Sequence, residues 1–372
     1  MAKIEENFLQ HEALIPGLPD DLALKCLVRI SHGYHGLLEC VSKRWRDAIR
    51  SEEYTRLKAL ERFCGNWIFI STANGSRWEA YDTEADRWEP LPIMPASGCG
   101  CNSVNKIIGF SCVTVCHKFL VIGGQTVSSV HQEVLSDVAV FDPFKKEWHM
   151  AARMRRALLG FACVAISGKV YVAGGHNFTC PSGFSDAEVY DPCIDRWDYL
   201  PAMPFPLVGC FGLSRGKHFY VVGKKEPRAM QYTHILFSIK EQEWQVLENT
   251  DPYINFGLSS IMEEMVYFFD EETIEALGQK EFDILCSCPA LFLPDHERPL
   301  RPSGACLVGS KRQLYLIGGL TIKFDSQSHS YSVVQLNSTR FCEVTRLSQE
   351  WQNGRPMLSQ AGRVLGCAVM TE

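Results

Sequence analysis

No apolar run in this 372-residue chain approaches the roughly 20 residues that a bilayer-spanning helix needs, so no membrane association is expected. The opening segment, MAKIEENFLQHEALIPG, has neither the basic start nor the apolar centre of a signal peptide. Positive charge is also scarce: 37 lysines and arginines face 43 acids, a formal charge of −6. A nucleic-acid binder normally needs a basic field to displace counterions from phosphate, and that class is set aside. Catalytic signatures are missing too, with no Walker-type phosphate loop, no G-x-S-x-G elbow, no H-E-x-x-H and no dinucleotide G-x-G-x-x-G. Cysteine, by contrast, is plentiful at 16 residues, and hydrophobic residues make up 46% of the chain, a composition that folds. Without an export signal these cysteines are expected to be reduced thiols of a cytoplasmic and/or nuclear protein. Cys99/Cys101 and Cys286/Cys288 are spaced too closely for a structural zinc site, so no metal or cofactor is expected.

What the chain does contain is a repeat. FSCVTVCHKFLVIGG (110–124), FACVAISGKVYVAGG (161–175) and GACLVGSKRQLYLIGG (304–319) each join two apolar runs by a short polar turn and end on Gly-Gly. Two strands with a tight turn give this pattern. An aromatic-Asp pair follows with Trp six residues after the Asp: Tyr81-Asp82 and Trp88, Phe141-Asp142 and Trp148, Tyr190-Asp191 and Trp197. Counting in register exposes degenerate copies at Gly223-Lys224, with Trp244, and at Asp270-Glu271, where Phe282 replaces the Trp. A first copy begins at WIFIST, and a sixth stretches to Trp351. Six copies of about four strands predict an all-β six-bladed β-propeller. The first copy lacks an opening strand, and VLGCAVMTE (364–372) resembles one, so the two ends of the repeat region are expected to close the ring. Cys112, Cys163, Cys306 and Cys367 are read as buried fillers at one shared first-strand position. The repeat resembles the kelch family, whose glycine doublet matches Gly123-Gly124, Gly174-Gly175 and Gly318-Gly319, and whose Trp matches Trp88, Trp148, Trp197, Trp244 and Trp351.

Residues 14–60 do not fit the repeat, and residues 1–13 are expected to be a flexible arm. LPDDLALKCLVRI (18–30) opens with Pro and two acids, a good helix start, and Leu22, Cys26, Leu27 and Ile30 share a face. LLECVSKRWRDAIRS (37–51) resumes the helical period through Leu38, Val41, Trp45 and Ile49. This small all-α module resembles the F-box, the adaptor-binding motif of Skp–cullin–F-box ubiquitin ligases. The resemblance implies that Leu18, Pro19, Leu22, Leu27, Ile30, Val41 and Trp45 face either a Skp-family adaptor or the module's own core.

The remaining chain, 61–372, is expected to present its long, irregular loops on one face of the propeller: 125–136, 176–186, 224–231 and 320–331, with 96–109, 202–208, 247–257 and 289–303. Recognition usually sits on such loops. Candidate contacts are Arg153, Arg155, Arg156, His131, His176, Phe178, Phe205 and Arg228, since arginines and aromatics serve as anchors. Together the resemblances imply a non-catalytic substrate receptor of a plant-type ubiquitin ligase, bound through its adaptor to cullin and RING subunits and holding an unknown target protein. The alternative is a kelch scaffold that bridges proteins without ubiquitylation.

Overall fold

The computed structural model describes residues 13–60, 65–75, 77–95, 106–127, 132–229, 231–247, 259–262, 265–270, 273–277, 284–289, 304–325, 330–343, 351–358 and 361–370, with backbone alone in the 259–289 and 321–331 stretches. The chain divides between Gly65 and Asn66 into two compact units.

The first unit holds α1 (Asp20–Val28), a 3-10 turn at His32–Tyr34, α2 (His35–Val41), α3 (Lys43–Ile49) and α4 (Glu52–Leu60). Pro19 stands at the N-cap of α1, and Asp20 and Asp21 place negative charge at the positive end of the helix dipole. Asp20 also accepts the Leu14 N–H at 2.8 Å and pairs with Arg44. The other end of α1 is closed by α4. Lys58 is fully buried, and its ammonium donates to the carbonyls of Val28 (3.0 Å) and Ile30, groups that a helix end leaves without partners. Tyr54 donates its hydroxyl to the Leu27 carbonyl at 3.2 Å and lies 2.8 Å from His35 Nε2. The core beneath is Leu14, Ala23, Leu24, Leu27, Val28, Ile49 and Tyr54.

The helical period across 37–51 conceals a break. Ser42 is extended (φ −159°, ψ 162°), and its hydroxyl accepts the Trp45 N–H at 3.1 Å, capping α3. Leu38, Val41, Trp45 and Ile49 therefore do not form one face: Val41 is exposed and Ile49 buried. The face expected on α1 splits likewise, with Leu22 and Cys26 exposed and Leu27 buried.

The second unit is built from four-stranded antiparallel sheets in chain order. Sheet 1 is Val364–Met370, Trp67–Thr72, Glu79–Asp82 and Arg87–Pro90; sheet 2 is Ser111–Val115, Lys118–Ile122, Val138–Asp142 and Glu147–Ala151. Sheet 3 is Ala162–Ile166, Lys169–Ala173, Ala187–Asp191 and Arg196–Tyr199; sheet 4 is Val208–Arg215, His218–Lys224, Thr233–Ser238 and Glu243–Val246. Sheet 5 is Ser259–Met262, Met265–Asp270, Thr273–Leu277 and Ile284–Pro289; sheet 6 is Cys306–Ser310, Gln313–Ile317, Thr339–Glu343 and Gln352–Gly354. The first strands of successive sheets lie side by side: sheet 1 with 2, 2 with 3, 3 with 4, 5 with 6, and 6 back to 1. That arrangement is a β-propeller. The expected count of six blades is corrected to five with packed, described side chains; sheet 5 contributes four paired strands of backbone. Two ribbons add to the scaffold, Lys106–Ile108 with Gln125–Val127 and Leu320–Asp325 with Ser330–Gln335.

Each repeat residue has a physical task in joining neighbours. In the doublets both glycines sit at positive φ, 70° and 84° at Gly174 and Gly175. A Cβ on Gly175 would stand 2.7 Å from Phe161 Cβ. The bend aims the Gly175 N–H at the Leu207 carbonyl (2.9 Å), which leads into sheet 4; Gly124 and Gly319 reach Leu158 and Gly362 in the same way, each at 2.9 Å. The aspartate after each aromatic shapes the outer hairpin: Asp82 accepts the N–H groups of Glu84 and Ala85, and Asp142 those of Phe144 and Lys145. In the fourth copy Ser238 takes over, accepting the Glu241 N–H at 3.3 Å.

The tryptophans staple each sheet to the one before it. Trp148 Nε1 donates to the Pro92 carbonyl (3.0 Å), Trp197 to Ala152 (2.9 Å) and Trp244 to Pro201 (2.7 Å). Trp88 reaches across the closure to Arg355 (2.8 Å). There Asp86, fixed by the Tyr81 hydroxyl at 2.7 Å, also accepts the Arg355 N–H at 2.8 Å. Asp195 repeats the motif with Tyr190 (2.7 Å) and the Ala152 N–H (2.8 Å). Trp351 precedes the outer strand of sheet 6 and is half-buried; Phe282 lies outside the described residues.

One detail of the repeat reading is corrected. Cys112 and Cys163 pair with Val121 and Val172, two residues ahead of the glycine doublets, whereas Cys306 pairs with Ile317, one residue ahead. One more residue separates Cys306 from Gly318 than Cys163 from Gly174, and a one-residue step turns a side chain to the opposite face. Cys306 instead hydrogen-bonds with Cys367 of sheet 1, and burial raises the Cys112 thiol to about 12.

Candidate binding surfaces

The helical unit leaves apolar side chains uncovered although its own core is filled. Leu22 on α1 is 44% exposed, Leu37 and Val41 on α2 are 62% and 60% exposed, and Pro19 is exposed beside them in sequence. Leu37 and Val41 are one helical turn apart and share a side of α2. Of the other residues singled out from the sequence, Leu18, Ile30 and Trp45 are half-buried against the core, and Leu27 is 1% exposed. Trp45 is held by its indole N–H, which donates to the Leu14 carbonyl at 2.6 Å. Leu27 therefore belongs to the module's interior, one of the two roles the resemblance left open. Leu37 and Tyr34, the latter 39% exposed, were not singled out; their signal was apolar character off the core-facing period.

The second surface lies on the long-loop side of the propeller, where the connection leaving one sheet meets the loop after the second strand of the next. Leu159 and His176 pair across this junction, with N–H···O distances of 2.9 and 3.0 Å, and Asn177 donates to the Ala157 carbonyl at 3.3 Å. Arg153, Arg155, Arg156, His176 and Phe178 are thus brought into one loop cluster between sheets 2 and 3. Phe205 and Arg228 belong to another around sheet 4, where Phe205 is half-buried with Lys225 Nζ 4.2 Å from its ring centre. Lys225 was not foreseen. His131 lies outside the described residues, as do Cys99, Cys101 and the side chains of Cys286 and Cys288.

The three arginines are engaged within the propeller. Arg153 pairs with Asp137 at 2.7 Å, and Arg156 with Asp186 at 2.6 Å while stacking 4.3 Å from the Phe184 ring centre. Arg155 donates to the Trp197 carbonyl at 3.2 and 3.0 Å and lies over Tyr199. Arg153 stays 65% exposed and Arg156 43%, so both guanidinium groups remain open to a ligand. Phe178 is 58% exposed and Arg228 is exposed. Burial lowers the pKa of His176. Among the described residues no three His, Cys, Asp or Glu side chains gather to hold a metal, and no helix is long and apolar enough to cross a membrane.

Comparisons with known proteins match both units. The F-box domain model matches residues 15–57, and the Kelch motif model matches 107–155 and 157–204. An F-box/kelch-repeat protein of Arabidopsis thaliana is 40% identical over 378 residues, covering 97% of this chain and 98% of that one. A second is 32% identical over 60% of this chain and 57% of its own, and the F-box/kelch-repeat protein SKIP30 is 25% identical over 96% and 97%. Among solved structures, YjhT superposes with a TM-score of 0.53 over 75% of this chain and 91% of its own at 14% identity, a likeness of fold alone. With both units matched and the full-length relative at 40% identity, the chain belongs to the F-box/kelch-repeat proteins.

Proposed function

We propose that this protein is the substrate-recognition subunit of a Skp–cullin–F-box-type ubiquitin ligase. The observation that carries the proposal is the uncovered Pro19, Leu22, Leu37 and Val41 on a helical unit whose core is already complete. Exposed apolar side chains gathered on so small a unit mark an interaction surface, and a Skp-family adaptor is the partner the F-box implies. The adaptor brings cullin and RING subunits. The chain itself catalyses nothing; it raises the local concentration of a target lysine near a ubiquitin-loaded enzyme held by other subunits.

The target binds the long-loop face, with Phe178, Arg153, Arg156 and Arg228 as contacts. The site of action is the cytoplasm and/or nucleus. Affinity purification of the intact chain beside a Leu18→Ala/Pro19→Ala variant, followed by mass spectrometry, tests the reading. Adaptor and cullin are expected with the intact chain alone, and target proteins with both. Targets recovered without any adaptor from the intact chain would leave a kelch scaffold instead.

A further inference from the structure

Between sheets 2 and 3, at the end carrying the short turns, lies a cavity of about 250 Å³ walled by Leu120, Val140 and Tyr190. It is lined as well by two thiols, Cys116 and Cys193, by Lys118 and by His149. None of these belongs to either surface above. Cys116 opens the tight turn of sheet 2 at φ 50°, Cys193 lies in the outer hairpin turn of sheet 3, and both are exposed free thiols. Contacts link the two turns. Cys116 Sγ lies 3.7 Å from the Gly168 carbonyl, the adjacent Lys169 pairs with Asp191 at 2.9 Å, and Asp191 accepts the Cys193 N–H at 2.9 Å.

The cavity wall carries one carboxylate and one cation: Asp195 accepts from the Tyr190 hydroxyl and the Ala152 N–H, and half-buried Lys118 takes part in no ion pair among the described residues. Burial and Lys118 lower the pKa of His149. An apolar wall, one cation and two thiols suit a small disulfide that carries carboxylates.

We propose that Cys116 and Cys193 form a dithiol–disulfide site across sheets 2 and 3, oxidised by a small carboxylate-bearing disulfide of the glutathione class. The Cys193 sulfur attacks one sulfur of the small disulfide, whose S–S bond breaks, and one small thiol leaves with a proton. The Cys116 sulfur then attacks the Cys193 sulfur and expels the second small thiol, which carries away the Cys116 proton. Two protein thiols give two electrons to the disulfide, and one bond now joins the two sheets.

Treating the intact chain with oxidised glutathione, and separately with neutral hydroxyethyl disulfide, and mapping peptides by mass spectrometry tests this. A linked Cys116–Cys193 peptide is expected from the intact chain, and an unresolved glutathione adduct on Cys193 from Cys116→Ser. Lys118→Ala should slow the reaction with glutathione about fivefold while leaving the neutral reagent unchanged. Separate adducts on both cysteines without linkage would overturn the proposal. So would thiols at 116 and 193 that stay reduced while exposed Cys26 and Cys40 react. Equal slowing of both reagents by Lys118→Ala would overturn the assigned ligand class.

Discussion

At the scale of single residues, the propeller is held by polar groups placed where one sheet meets the next. The Trp197 indole shows the logic: its ring fills space between sheets 2 and 3, and its N–H binds the Ala152 carbonyl at 2.9 Å. Trp197→Phe keeps much of the ring but leaves that carbonyl without its donor. Urea unfolding is expected to show a loss of about 1 kcal/mol with an unchanged slope. His234 sets an acid limit. Burial lowers its pKa from 6.5 to about 4, so the folded state refuses a proton that the unfolded chain accepts. The stability it contributes is complete above about pH 6.5 and is lost as pH falls toward 4, by up to roughly 3 kcal/mol. Denaturant titrations of the intact chain and of His234→Leu across pH 4–7 check this: the variant should lose less stability on acidification.

At the scale of elements, the decisive features are ends and bends. Ser42 divides two helices through one hydroxyl, and Ser42→Ala should cost about 1 kcal/mol of helical-unit stability, measured by thermal melting followed by circular dichroism. Gly175 bends at φ 84° with a carbonyl and Phe161 pressed against it. Gly175→Ala is expected to cost at least about 2 kcal/mol, since it adds strain to a clash. These elements differ in how far they could be read in advance. The glycine doublets and the Trp spacing were legible because the copies that keep them use the same bend and the same staple. The break at Ser42 was not, because apolar spacing runs across it without a Gly or Pro. The roles of Arg153 and Arg156 were equally hidden: their partners Asp137 and Asp186 are distant in sequence and meet them only once the loops are folded. Exposure divided residues that the period on α1 had joined, since Leu22 and Leu27 look alike in sequence and only the second packs into the core with Leu14, Ile49 and Tyr54.

At the scale of the whole molecule, closure joins segments from distant parts of the chain. Val364–Met370 pairs with Trp67–Thr72, and Trp88 and Asp86 bind Arg355 from the adjoining sheet. Deleting 364–372 removes the inner strand of sheet 1 and exposes a paired edge. The shortened chain should elute as aggregate in size-exclusion chromatography, where the intact chain elutes as a discrete species. The helical unit has its own core in Leu24, Leu27, Val28 and Tyr54, so docking on an adaptor and holding a target are expected to be separable. The most direct test is binding of the purified chain to a purified Skp-family adaptor, with Leu22→Asp/Val41→Asp as the comparison. Both sites are exposed, and the variant should keep its fold by circular dichroism. A Kd at least about 100-fold weaker is predicted, with target capture by the propeller intact; equal affinity for the two proteins would contradict the account.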